Sequence, residues 1–231
     1  MSIHNNKARV GNFTSSNIWK LMRDGRSKGS LGAPALEYIE EKKWERKLGR
    51  PLQKEVSTRP MLWGHFGERW VFDKKLPESY TILSDKTKPH PQYGDFWAGS
   101  TDLVTADAVG NIKCPELKAF CKIIDGGIDG LIEYKYGEYF WQLISDACIN
   151  EKQFAELIVY VPYFGDLSAM QDRASVSDDE YKWIAFADSN ELPWLHKDMH
   201  YNDLNILRFD ATPYKDQLTE RVLECSKLLL Q

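Results

Sequence analysis

Several features that define common protein classes are scarce or missing in this sequence of 231 residues. The four cysteines form no C-x-x-C pair, no zinc spacing and no cluster suited to an iron–sulfur centre: Cys114, Cys121, Cys148 and Cys225. No apolar run could span a bilayer and no signal-peptide pattern is present, so we expect a cytoplasmic protein with reduced thiols and no membrane contact. Basic residues are not in excess either, since the formal net charge is -4. Nucleic-acid binding would therefore require basic side chains concentrated in a groove.

The overall composition is that of a folded protein. Hydrophobic residues make up 42% and aromatic residues 13% of the chain, which are the fractions of a folded protein and not of a disordered one. The length suits one globular domain, so we expect residues 1–231 to form a single domain. The polar N-terminus up to Arg9 is expected to be irregular, and residues 51–59 a linker.

Hydrophobic periodicity, caps and turn residues predict alternating helices and strands. Helices are expected at 13–22, 34–48, 60–76, 136–148 and 212–230. In the second helix Leu36, Ile39, Lys43 and Trp44 are expected to make up much of one face. Strands are expected at 80–83, in a hairpin within 99–118, at 154–162 and at 183–186, while the chain after Lys118 and residues 162–177 look irregular. This order predicts a mixed sheet between helices, an α/β (α+β) architecture.

The most informative stretch is residues 99–118, which reads G-S-T-D-L-V-T-A-D-A-V-G-N-I-K-C-P-E-L-K. β-branched residues flank a turn rich in Asp and Gly, which predicts two short paired strands. Because side chains alternate along a strand, Asn111 and Lys113 share one face while Ile112 and Cys114 point into the core. Pairing of the strands would bring Asp102 beside Asn111 and Lys113. Such a cluster can hold Mg²⁺ and orient a water for attack on a phosphodiester.

The G-S-T-D-L-V and I-K-C-P segments resemble the core of the PD-(D/E)XK nucleases. The resemblance is greatest to the phage lambda exonuclease-type (YqaJ-like viral recombinase) branch, in which a lysine followed by Cys-Pro is typical. It extends over about residues 9–162 and implies a restriction-endonuclease-like core. One position departs from the family pattern, because an acidic residue stands there two positions before the lysine and this chain has Asn111.

The resemblance also implies roles for individual residues. Asp102, Asn111 in the acidic slot and the Ile112 carbonyl would bind Mg²⁺, with Mn²⁺ as a possible substitute. Lys113 would position the attacking water and stabilise charge on the phosphate. Two helical residues would support the metal shell, namely Glu68 in G-H-F-G-E-R-W and Gln142 in a Tyr-x-x-Gln motif.

The resemblance further assigns a DNA-binding role to the N-terminal segment. Arg9, Thr14 and Ser16 match the family segment that grips the terminal phosphate of a DNA strand. Arginine binds phosphate in a bidentate manner, and hydroxyls at a helix start add donors. A plain helix cap explains the hydroxyls equally well.

Asn111 leaves three explanations open. The residue can be an engineered replacement that traps an inactive state, or a natural variant with weakened metal binding, since an amide brings no charge. Alternatively, another carboxylate takes its place. Glu116 repeats the E-x-K spacing with Lys118, but it lies beyond Pro115, where the strand should end. We prefer Asn111 in the acidic slot and keep Glu116 as the alternative.

The function that the resemblance implies is Mg²⁺-dependent 5′ to 3′ exonuclease activity on the ends of linear double-stranded DNA. It implies phage-type recombination in a bacterial or phage-infected cell, a ring-shaped homo-oligomer such as a trimer, and a single-strand annealing protein as partner. Asn111 keeps a second hypothesis open, a catalytically inactive DNA-end-binding protein with the nuclease fold. A structural phage protein without a nucleic-acid role is a more remote third.

Overall fold

The computed structural model describes residues 8–52, 57–83 and 87–231. Most of the predicted irregular N-terminus and residues 53–56 of the predicted linker lie outside the described residues. The strands are β1 (Phe13–Thr14), β2 (Thr81–Ile82), β3 (Lys88–Pro89), β4 (Trp97–Gly99), β5 (Leu103–Val104), β6 (Ala108–Lys113), β7 (Phe154–Tyr160) and β8 (Leu204–Asp210). The α-helices are α1 (Ala33–Leu48), α2 (Arg59–Lys74), α3 (Leu117–Glu133), α4 (Glu138–Ile149), α5 (Leu167–Ser175), α6 (Lys182–Phe186) and α7 (Thr212–Leu229). None of the helices in these ranges has both the length and the apolar character needed to cross a membrane.

The main sheet has five strands in the order β2-β5-β6-β7-β8. β6 and β7 run parallel from Ala108↔Phe154 to Lys113↔Val159, and the other neighbours are antiparallel. The near-continuous apolar run of β7 is buried on both faces, as its central place in the sheet requires. A smaller sheet of order β1-β4-β3 lies beside the hairpin formed by β5 and β6.

Helices cover both faces of the five-stranded sheet. One face packs against α1, α3, α4 and α7 through residues such as Val109, Leu157 and Phe140. The other packs against α2, α5 and α6 through residues such as Ile112 and Ile158. Alternate residues of β6 and β7 therefore enter opposite cores. The predicted α/β architecture, a mixed sheet between helices, is confirmed.

The helices predicted around α1, α2, α4 and α7 and the strands of the hairpin and of β7 are present with bounds shifted by a few residues at most. On α1, however, the predicted face was only partly right: Ile39 is buried, as expected. Leu36 and Trp44 are about half exposed, whereas Tyr38 and two charged residues, Lys42 and Glu45, are buried. Hydrogen bonds explain the burial of the two charged residues, because Glu45 accepts from Lys42 and from the backbone of the N-terminal segment.

The helix predicted at residues 13–22 was wrong in its start and in its type. The segment begins as strand β1, which pairs in parallel with β4, and continues as a 3₁₀ helix over Ser15–Lys20. Thr14 is extended, and its side chain does not cap the helix. Its N–H instead donates to the Tyr38 hydroxyl at 2.9 Å. A tertiary contact therefore overrides the local capping signal.

Further expectations fail because the local signal is weak or ambiguous. The stretch after Lys118 is the long helix α3 rather than loop, because its glycines are accommodated by a break at Gly127 (φ 55°, ψ −143°). Residues 183–186 belong to the short helix α6 rather than a strand, since periodicity cannot decide so short an apolar run. The predicted irregular region at 162–177 contains α5, and strand β8 was not predicted at all, because its burial is incomplete and mixed.

Candidate active site

Asp102 lies where β5 separates from β6. The two strands pair only as Leu103↔Gly110 and Val104↔Val109. Beyond that point the Ile112 N–H donates to Asp102 Oδ2 at 2.9 Å, so a carboxylate replaces the missing strand partner. Because the N–H and C=O of one strand residue point to the same edge, the Ile112 carbonyl also faces this side. The two predicted oxygen ligands therefore face the same side of β6, at the point where β5 no longer pairs with it.

Lys113 is the last residue of β6 and is partly buried. Its ammonium lies 5.7 Å from the centre of the Tyr139 ring. Burial by itself lowers the pKa of Lys113, but the negative charges of Asp102 and Glu68 outweigh it, so that the pKa is raised above its ordinary value. The charged form of Lys113 is therefore stabilised by these two carboxylates. The sequence expectation that this lysine needs charged partners is met by the placement of Asp102 and Glu68.

Helix α2 positions Glu68 by packing closely against the end of β6. A Cβ added at Gly67 would stand 2.5 Å from Cys114 Sγ and 2.9 Å from Cys114 Cβ, so only glycine permits this approach. The preceding glycine of the helix, Gly64, has open space where a Cβ would be. Burial, with the Glu68 charge next in importance, raises the pKa of the Cys114 thiol well above its ordinary value. Cys114 is thus a packing residue rather than a nucleophile.

Asn111 is buried and both ends of its amide are engaged. Nδ2 donates to Asp146 Oδ2 at 2.8 Å, and Oδ1 accepts from Gln142 Nε2 at 3.0 Å. Gln142 and Asp146 are separated by one turn of α4 and face the same way, which lets them hold one amide between them. The expected support of the site by Gln142 therefore takes the form of a direct hydrogen bond to Asn111.

Asp146 is a residue of this site that sequence reasoning missed. It is fully buried, and burial raises its pKa to about 7. The nearby Ser15 hydroxyl and the Asn111 amide lower that pKa in part, although Oδ1 receives no hydrogen bond of good geometry from the described residues. Its spacing of four residues from Gln142 on a predicted helix was the signal that could have indicated it.

The N-terminal segment adjoins this network. The Ser15 and Ser145 hydroxyls lie 2.8 Å apart, and Trp97 Nε1 donates to Ser145 Oγ at 2.8 Å. Gly99 in β4 allows this close packing, since a Cβ there would come within 2.2 Å of Ser15 Oγ and 2.8 Å of Asp146 Oδ1. The segment predicted to bind a terminal phosphate is thereby brought to the edge of the candidate site.

The predicted phosphate-binding residues are only partly brought together. Thr14 Oγ1 lies 3.5 Å from Ser16 Oγ and 3.2 Å from the Tyr38 hydroxyl. Lys20 lies over the Tyr38 ring, with its Nζ 5.0 Å from the ring centre, and so adds positive charge nearby. Arg9 is partly buried, and its guanidinium makes no hydrogen bond to Thr14 or Ser16 in the described part of the chain.

Glu116, the alternative acid, lies apart from the Asn111 network. It is exposed and precedes the first residue of α3. It lines a cavity of about 90 Å³ together with Arg59, Trp63 and Trp183. The charges that most affect Lys113 are those of Asp102 and Glu68 instead.

The described residues contain no group of three His, Cys, Asp or Glu side chains placed to hold a metal ion. A cation that retains most of its waters needs fewer protein ligands, and Mg²⁺ is commonly bound through one or two carboxylates. Asp102, the Ile112 carbonyl and the nearby Glu68 fit that requirement. Asn111 can offer its amide oxygen, which already accepts a hydrogen bond from Gln142.

No protein-family model matches the sequence, and no curated protein matches it at a significant level. Solved structures do match in fold. The alkaline exonuclease LHK-Exo from Laribacter hongkongensis is 16% identical over 96% of this chain and 89% of its own, with a TM-score of 0.58. Its complex with dAMP gives the same identity and TM-score over 90% of its length. A phage related exonuclease from Haemophilus somnus 129PT is 14% identical over 97% of this chain and 96% of its own, with a TM-score of 0.61. The chain therefore has the fold of these exonucleases, which is the fold that the resemblance implied.

Proposed function

We propose that this protein is a Mg²⁺-dependent deoxyribonuclease that degrades linear double-stranded DNA from its ends in the 5′ to 3′ direction. The observation that carries the proposal is the grouping of three residues: Asp102 accepts the Ile112 N–H beside Lys113, and the charges of Asp102 and Glu68 raise the pKa of Lys113. The shared fold with two exonucleases supports it, and one of them binds dAMP, a deoxynucleotide. Mn²⁺ is the expected substitute ion.

Each residue of the candidate site has a separate role in this proposal. Asp102, the Ile112 carbonyl and Asn111 would hold the ion, with Glu68 close by. A bound Mg²⁺ would lower the pKa of an attacking water and offset charge on the phosphate. Because its pKa is raised, Lys113 stays protonated and donates hydrogen bonds to the attacking water or to a phosphate oxygen. A permanently charged lysine cannot serve as the general base, so its role is positioning and electrostatic.

We assign binding of the DNA strand end to the N-terminal segment of the protein. Arg9, Thr14 and Ser16 would contact the terminal phosphate, with the hydroxyls at the start of the 3₁₀ helix. We also propose a homo-oligomer such as a trimer, a single-strand annealing protein as partner, and a role in phage-type recombination in a bacterial or phage-infected cell. A monomer mass in light scattering at micromolar concentration would exclude the ring.

The test uses linear duplex DNA with 5′-phosphates and Mg²⁺, and compares the parent chain with Asp102→Asn and Lys113→Met. Both variants should lose at least about a hundredfold in rate. Asp107→Asn, an exposed residue of the same hairpin, is the matched control and should cut like the parent. Labels at either strand end report direction, and closed circular DNA should resist. Cleavage that survives both site substitutions would refute the proposal.

Asn111 favours one alternative, a DNA-end-binding protein without catalytic activity. Its amide is already engaged at both ends and brings no negative charge to the site. Such a protein would bind duplex ends with an affinity that falls steeply with salt, yet cut nothing in Mg²⁺ or Mn²⁺. Cleavage by the parent chain would eliminate this alternative.

A further inference from the structure

Asn111 and Asp146 form a matched pair across the interface between β6 and α4. The contact joins Asn111 Nδ2 to Asp146 Oδ2 at 2.8 Å, and both side chains are buried. The Asn111 amide nitrogen donates to the Asp146 carboxyl group, which leaves Asn111 Oδ1 free to accept from the Gln142 amide nitrogen, as observed. An aspartate at position 111 would instead oppose two carboxylates across this contact.

The negative charge of Asp146 is not needed for this packing. No ion pair with a lysine or arginine involves Asp146 in the described part of the chain, and its Oδ1 receives no hydrogen bond of good geometry there, although the Ser15 hydroxyl lies near. An asparagine at position 146 would keep the hydrogen bond to Asn111 without the large cost of burying a charge. A buried carboxylate keeps its charge only beside a positive group, so the charged form of Asp146 has a use only if a cation lies near it.

The site around Lys113 supplies that use. Asp102, Glu68 and Asp146 all act electrostatically on Lys113, so the Asp146 carboxylate belongs to the same group of charges as the hairpin aspartate. Strand β6 has no acidic side chain at position 111, whereas α4 presents one directly behind it.

We propose that Asp146 provides the second negative charge of the cation site, so that the acidic group missing from β6 at Asn111 is carried by α4. Asp146 is a positioning residue: it holds Asn111 through the hydrogen bond and adds its charge to that of Asp102. The inference rests on the proposed metal-dependent function. On this inference Asn111 is not an inactivating substitution, because Asp146 complements it.

An exchange of the two side chains tests this directly. The variants are Asp146→Asn, Asn111→Asp and the double variant with both substitutions. The single Asp146→Asn substitution leaves two amides that can still bond each other. The double variant restores one amide and one carboxylate across the same contact, with the charge on the strand. Asp216→Asn, an exposed residue of α7, is the control for loss of one negative charge.

The main readout is Mn²⁺ binding by calorimetry without DNA, with thermal unfolding as the check on folding. Asp146→Asn should bind Mn²⁺ at least about tenfold more weakly than the parent while remaining folded. The double variant should recover most of that affinity, and Asp216→Asn should match the parent. Equal Mn²⁺ binding by the parent and Asp146→Asn, or a double variant no better than Asp146→Asn, would overturn the inference.

Cleavage of linear DNA, measured on the same variants, separates this inference from the proposed function. A parent chain that binds Mn²⁺ through Asp146 but cuts no DNA contradicts the nuclease function and supports the cation site. If the parent chain cuts DNA and Asp146→Asn cuts it equally well, the nuclease function is supported and the role of Asp146 is overturned.

Discussion

Gly64 and Gly67 of helix α2 should respond differently to substitution by alanine: only Gly64→Ala should stabilise the protein. Replacing an interior helical glycine by alanine stabilises a helix by about 1 kcal/mol. At Gly64 a Cβ meets nothing within 4 Å, so Gly64→Ala should raise the free energy of unfolding by roughly 0.5–1 kcal/mol. At Gly67 the Cβ would come within 2.5 Å of Cys114 Sγ. Overpacking of this kind costs about 1–3 kcal/mol, so Gly67→Ala should be neutral or destabilising by up to about 2 kcal/mol.

Urea denaturation followed by circular dichroism measures both effects, with unchanged m-values as the sign that the unfolded states are comparable. A double-mutant cycle identifies the cause. Cys114→Ala removes the sulfur that the new methyl group meets, so Gly67→Ala should cost less in the Cys114→Ala background. The cycle should show a favourable coupling of about 1 kcal/mol between the two alanines, limited by the 2.9 Å contact to the remaining Cβ.

Equal stabilisation by Gly64→Ala and Gly67→Ala would refute the close approach of α2 to the end of β6. The functional consequence can be measured on the same variants. Glu68 follows Gly67 directly, so a helix displaced from Cys114 also displaces that carboxylate from Lys113. Gly67→Ala should therefore reduce DNA cleavage beyond the fraction of unfolded protein, whereas Gly64→Ala should not.

Three further outcomes follow from contacts outside the site. Arg208→Ala should lower the free energy of unfolding by about 2–3 kcal/mol in a denaturation assay, because it leaves the buried Glu156 carboxylate without its cation. Adding Glu156→Gln to the same chain should recover part of this loss. Burial lowers the pKa of His90, whose Nδ1 accepts backbone N–H groups, so stability should decline as pH falls through its ordinary value of 6.5, and a flat profile shared with His90→Asn would contradict this. Burial raises the pKa of Cys225 from 9.0 to about 12, so a thiol reagent at pH 8 should modify the partly exposed Cys121 first and Cys225 only on unfolding. The free energy of unfolding should also fall between pH 9 and 12, because the Cys225 thiol ionises more readily in the unfolded chain. Rapid labelling of Cys225 in the native protein would contradict this prediction.

The sequence by itself determined the elements whose signals are local. The turn between Asp102 and Asn111, the alternation that sends Ile112 inward, and the helical spacing around Gln142 all lie within a few neighbouring residues, and the structure has the corresponding hairpin and helix. Such signals depend on the steric preferences of the backbone and on the period of each helix or strand, so they can be recognised in the sequence without knowledge of the tertiary structure.

Other features depend on which distant segments meet. Thr14 is extended because its N–H bonds a tyrosine 24 residues away, which no capping rule contains. The face that α1 buries is likewise set by the N-terminal segment that covers Glu45.

The same holds for the charge of the candidate site. Asn111 signals a missing acid in the sequence, and Asp146, 35 residues further on, looks like an ordinary polar residue of a helix. Only the packing of α4 against β6 places the two side chains 2.8 Å apart, and the removal of both from water strengthens the hydrogen bond between them. Sequence thus determined where the strand, the helix and the lysine are, and tertiary structure decided which carboxylate lies beside Asn111.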